Sequence, residues 1–72
     1  MKLKNNLKDF RVNVGINQQD FGAIVGVSRQ TISFIERGDY SPSVFLALRI
    51  AKYFNVSVED IFTLEEEENE KS

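Results

Sequence analysis

The sequence predicts an all-α fold of five short helices, and three observations carry that expectation. Apolar residues recur at intervals of three and four along the chain, the periodic stretches open on Ser or Asn and close on Gly, and no strand signal or internal repeat is found. Leu3, Leu7, Phe10 and Val14 form the stripe of a first helix that Gly15 ends. Asn17 then stands where an N-cap belongs, with Asp20 three residues on, and Phe21 and Val25 give a second helix its apolar face before Gly26 closes it. Ser28 caps a third helix whose inward residues are Ile32 and Ile35 and whose end is Arg37-Gly38.

Asp39-Tyr40-Ser41-Pro42-Ser43 reads as a loop, and Val44 to Phe54 as a fourth helix apolar enough to be largely buried. Ser57, with Asp60 at the third helical position, caps a short fifth helix that carries Val58, Ile61 and Phe62. From Thr63 onward the chain is expected to fray. Residues 1–64 are thus read as the folded domain and residues 65–72, with the Glu65–Glu68 run and Glu70, as an acidic, solvated and disordered tail.

Seventy-two residues make one small domain, with no room for a second that would sense a ligand, and its core is marginal alone. There is no Cys and no His, so disulfides, thiolate zinc sites and the usual nucleophiles and bases are missing. No Gly-rich phosphate loop compensates, which makes an enzyme a weak rival, and no cofactor, metal or small-molecule effector is expected. The polar, basic N-terminus and the absence of a long apolar run point to a cytoplasmic protein without a membrane span. Neither the Gly22/Gly26 spacing nor the Asn55-Val56-Ser57 triplet carries function in that setting. The net charge of -2 hides a division: residues 1–54 hold eight Lys/Arg against four Asp/Glu, and residues 55–72 seven acids against one Lys, so the body is basic.

Asn17 to Glu36 holds two short helices joined by a tight turn that opens on glycine, the arrangement of a helix-turn-helix unit, and equally of a plain helical hairpin. The outward strip of the third helix decides between them. With Ile32 and Ile35 inward, 100° per residue turns Gln30, Ser33, Phe34 and Arg37 outward, flanked by Arg29 and Thr31. Gln and Arg make bidentate hydrogen bonds to adenine and guanine edges, and hydroxyls suit bases or phosphates. Phe34 needs a partner surface: either thymine methyls or a neighbour in its own chain such as Tyr40.

The runs Gln18-Gln19-Asp20-Phe21-Gly22, Gly26-Val27-Ser28-Arg29-Gln30-Thr31-Ile32-Ser33 and Ile35-Glu36-Arg37-Gly38 resemble the Xre family of Cro and phage-repressor-like regulators. The resemblance continues to Val56-Ser57-Val58-Glu59-Asp60-Ile61-Phe62. It implies a lambda-repressor-like five-helix domain and a sequence-specific regulator of transcription that binds double-stranded DNA. Such a protein acts as a homodimer on a palindromic operator and represses by excluding RNA polymerase. By the same resemblance Gln18 contacts a phosphate and supports the recognition helix, while Arg29, Gln30, Thr31 and Ser33 meet base edges or phosphates. Arg37 to Tyr40 grips the backbone. Ser28, at the helix N-terminus, and Phe34 complete the implied DNA-binding set. Arg11 and Glu36 are implied to form a structural ion pair. Val56, Val58, Ile61, Phe62 and Leu64 are implied to form the dimer interface, with Phe45 and Tyr53 beside them.

Three residues depart from the pattern. Gly22 replaces an alanine and is expected to weaken the second helix slightly, Asp39 would repel a phosphate, and Phe34 stands where a polar residue is common. The rival reading is an antitoxin-like module of the same fold whose main partner is a protein.

Overall fold

The computed structural model describes residues 1–66. Five helices are present: α1 (Leu7–Val14), α2 (Gln18–Val25), α3 (Arg29–Arg37), α4 (Val44–Phe54) and α5 (Val58–Ile61). A short antiparallel ribbon, β1 (Lys2–Asn5) with β2 (Phe62–Glu65), is added to them.

The helix ends lie where local chemistry places them. Asn17 Oδ1 accepts the Asp20 amide at 2.7 Å, Ser28 Oγ that of Thr31 at 3.1 Å, and Ser43 Oγ that of Leu46 at 3.1 Å. Each bond satisfies a donor that a helix start leaves open. Ser57 and Asp60 close a reciprocal box at the start of α5, in which the Ser57 amide donates to Asp60 Oδ2 at 3.0 Å. α4 ends on Asn55 at φ 60°, a left-handed position that asparagine tolerates better than most residues.

Leu7, Phe21, Ile32, Ile35, Ile50 and Ile61 are fully buried, so all five helices send an apolar side chain into one core. Phe21 is its aromatic centre. Its ring centroid lies 5.3 Å from that of Phe54 and 5.4 Å from that of Tyr53, and Phe10 meets Phe54 at 5.3 Å. Tilted and edge-on pairs of this kind add about 0.5–1.5 kcal/mol each beyond the burial of area.

Four expectations are corrected. Leu3 belongs to β1, because Asn5 Oδ1 takes the Leu7 amide at 3.0 Å and so starts α1 four residues later than the stripe suggested. Val14, the last residue of that stripe, is exposed. Residues 62–65 form β2, in register Lys2 with Glu65 and Leu3 with Leu64, so Thr63 is paired and Glu65 is part of the fold. Residues 67–72, the rest of the acidic segment, lie outside the described residues. Finally, α4 buries Leu46, Ile50 and Ala51 but leaves Val44, Phe45 and Leu48 exposed at 77%, 69% and 56%. Its apolar residues cover more than the width of the stripe that one core can take.

Gly22 is not a slack position. A Cβ built on it would lie 2.7 Å from the Val27 carbonyl oxygen and 3.1 Å from that of Ser28. The Gly26 and Val27 amides both donate to the Gly22 carbonyl at 2.8 Å, so the chain entering α3 turns directly across Gly22. The small cost of glycine in a helix is exchanged here for a close approach of α2 and α3.

Candidate nucleic-acid interface

α3 is held from behind by one buried polar cluster. Arg11 Nε donates to Glu36 Oε2 at 2.6 Å and its Nη2 to Glu36 Oε1 at 3.2 Å, while Nη1 donates to the Ile16 carbonyl at 2.9 Å. Gln18 Nε2 adds a bond to Glu36 Oε1 at 3.0 Å. The two charged side chains are only 11% and 4% exposed. A forked arginine matched to a carboxylate is the strong form of ion pair, and this one ties α1 and the first residue of α2 to the last turn of α3. Gln18, expected both to contact a phosphate and to support the recognition helix, is found here against Glu36 at the back of α3.

The front of α3 is graded along its length. Arg29 and Gln30 are exposed at the N-terminal end, the end at which a helix carries its partial positive charge. Thr31 and Ser33 are half-buried. Ser28 is exposed, but its Oγ caps the helix and lies 3.1 Å from Thr31 Oγ1. Phe34, 42% exposed, carries the Arg37 guanidinium 5.0 Å from its ring centroid. The partner found for Phe34 is thus Arg37, whereas Tyr40 lines a groove with Lys2, Leu3 and Pro42.

Asp39 pairs with Arg37, Oδ2 to Nε at 3.2 Å, so the carboxylate is directed at a cation. Arg29, Gln30, Phe34, Arg37 and Tyr40 are all brought to the exposed side of α3 or the turn after it. The residues expected at a dimer interface are divided: Val56 and Val58 are half-buried and Leu64 is exposed, but Ile61 and Phe62 are covered by their own chain and have no surface left to offer.

Sequence reasoning overlooked Asn5. Its Nδ2 donates to the Ile35 carbonyl at 2.8 Å, joining β1 to the end of α3. Arg49 was overlooked too: its Nη2 reaches the Ile24 carbonyl at 3.2 Å and its guanidinium lies over Phe45 at 5.7 Å. Of β1 the sequence carries only a trace, the alternation Lys2-Leu3-Lys4-Asn5, too short to be read as a strand against the helical spacing of Leu3 with Leu7.

Comparison with known proteins agrees with this geometry. The family described as helix-turn-helix matches residues 7–61. The HTH-type transcriptional regulator YgzD of Bacillus subtilis is 51% identical over 65 residues, 90% of this chain and 98% of that protein. The regulator MJ0272 of Methanocaldococcus jannaschii is 50% identical over 66 residues, 92% of this chain and all of the relative. Among solved structures, the P22 c2 repressor protein in complex with synthetic operator 9T superposes with a TM-score of 0.71 at 30% identity, covering 74% of this chain and 80% of the repressor. The chain belongs to the helix-turn-helix family of transcriptional regulators, and within it to the Xre type.

Proposed function

We propose that the chain binds double-stranded DNA in a sequence-specific manner as a homodimer and represses transcription by covering an operator. The observation that carries this reading is the construction of α3. Arg29 and Gln30 stand free at its capped N-terminal end, while the Arg11–Glu36 pair immobilises the opposite side. That is a rigid helix offering guanidinium and amide groups where a major groove presents base edges. The likeness to a repressor bound to an operator supports the same placement. No helix among the described residues is long and apolar enough to cross a membrane, consistent with action on DNA in the cytoplasm.

The experiment is a fluorescence-anisotropy titration with random-sequence duplex at about 50 and 200 mM salt, with an operator then selected from the pool. Binding is expected to weaken steeply with salt. Arg29→Ala/Gln30→Ala should lose about 1–3 kcal/mol of discrimination for each base pair it no longer reads. No binding at the lower salt would sink the reading and favour a protein partner.

The second copy is assigned to the outer side of α4 and the start of α5. Leu48, Ala51, Val56 and Val58, with Lys52, Ser57 and Glu59 at the rim, line an open groove of about 580 Å³. Val44, one turn before Leu48, extends the apolar strip. An apolar core with charged residues at its edge is the anatomy of a dimer interface, and two-fold pairing would set two recognition helices about 34 Å apart. Leu48→Glu is expected to give a folded monomer by analytical ultracentrifugation, with at least tenfold weaker operator binding; a variant that remains a dimer would move the interface elsewhere.

A further inference from the structure

β1 is bound to the recognition helix. Asn5 donates to the Ile35 carbonyl in the last turn of α3, and the Asn6 amide donates to the Ile61 carbonyl at 3.1 Å, so the strand is held at one end by α3 and α5 together. Two grooves run along it. One, of about 170 Å³, is shared with Glu36, Arg37 and Gly38, and the other, of about 110 Å³, with Gly38, Tyr40, Ser41 and Pro42. Lys2 lines both. The segment that follows α3 is therefore flanked by a lysine-bearing strand.

Strand geometry sets what that strand presents. Leu3 and Asn5 are half-buried, which turns Lys2 and Lys4 to the outside together. Two residues at about 3.3 Å each put their stems about 6.6 Å apart on one face, a spacing suited to phosphates of a single nucleic-acid strand. A helix lying in a major groove about 12 Å wide has its far end at the groove wall, which is sugar and phosphate. β1 is fastened to that far end.

We propose that the β1–β2 ribbon is a second phosphate-contacting element, in which Lys2 and Lys4 grip the DNA backbone beside the α3–α4 turn and Glu65 tempers that grip. The proposal rests on the DNA-binding reading above. Glu65 lies 3.5 Å from Lys4 Nζ through either carboxylate oxygen and is paired in register with Lys2. The Lys4–Glu65 pair is more than half exposed on both sides, so a phosphate can displace the carboxylate at little cost. Lysines on a short edge strand also discourage pairing with other sheets, a role that is indifferent to salt-linked DNA binding.

The test compares wild type with Lys2→Gln/Lys4→Gln and with Glu65→Gln on one random-sequence duplex and on the selected operator across a salt series, after thermal melts establish that each variant is folded. If the ribbon contacts phosphates, the slope of log affinity against log salt falls by nearly two in the double variant, about 0.9 for each lost contact. Glu65→Gln binds severalfold tighter at low salt. The ratio of operator to random affinity is unchanged, since phosphate contacts carry no sequence information. A normal wild-type slope that the double variant leaves unaltered overturns the ribbon's role alone. A wild type with no salt-dependent binding overturns the DNA-binding reading and this proposal with it. Should the double variant melt early, Lys4→Gln alone gives the same comparison with an expected slope change of about one.

Discussion

Arg11→Ala is expected to lower the free energy of unfolding by about 2–4 kcal/mol. The substitution removes three donors at once: two from Glu36, which is 4% exposed, and one from the Ile16 carbonyl. Truncating one side of a buried, hydrogen-bonded pair leaves the other charge without its counterion, which typically costs about 3–5 kcal/mol. The Gln18 amide stays on Glu36 and softens the loss, hence the lower range. A domain of this size has only about 5 kcal/mol or a little more to lose. Urea unfolding at fixed protein concentration, needed because dimerisation shifts apparent stability, should show the midpoint falling by about half with little change in slope. An unchanged midpoint would mean that the pair adds nothing over solvated charges.

Gly22→Val should be at least as damaging, by about 3 kcal/mol or more. Even a lone Cβ meets the Val27 carbonyl oxygen at 2.7 Å, and both contacts of concern are backbone atoms that cannot rotate away. Valine adds two methyl groups to that encounter, and a packed interior answers such insertions with backbone shifts that cost about 1–3 kcal/mol or more. The shift available is a separation of α3 from α2, which would also misplace Arg29 and Gln30. Circular dichroism melts and the anisotropy assay should therefore fail together. Gly22→Ala brings one methyl to the same carbonyl, so the gain in helix propensity of about 1 kcal/mol is not expected to show as added stability. A Gly22→Val protein with wild-type melting would refute the close approach.

What could be read in the sequence follows from how local its physics is. Asn17, Ser28 and Ser57 cap their helices through bonds only three residues long, so their meaning is written beside them. Ile32 and Ile35 fix the rotation of α3, and with it the outward position of Arg29, Gln30 and Phe34. The Arg11–Glu36 pair spans 25 residues and was legible through family likeness alone. Three features needed the third dimension. Gly22 is a poor helix former on its own terms, and the room it gives shows only once Val27 lies across it. Val44, Phe45 and Leu48 count as core by composition, yet face outward because Leu46 and Ile50 have taken the inward side. The ribbon alternates over four residues on each strand, too short a stretch to outweigh the helical spacing of Leu3 with Leu7.

The ribbon also sets the order in which the molecule assembles. Lys4 and Glu65 are 61 positions apart, whereas the α2–α3 hairpin closes over a few residues. Distant partners must await the collapse that brings them near, since the entropy of closing a long loop precedes any reward from it. β1 and β2 are therefore expected to dock late, with Phe62, 7% exposed, the residue through which β2 joins the core. The amides of Lys2–Asn5 are accordingly expected to exchange with solvent faster than those of α3, on a clock separate from that of global unfolding.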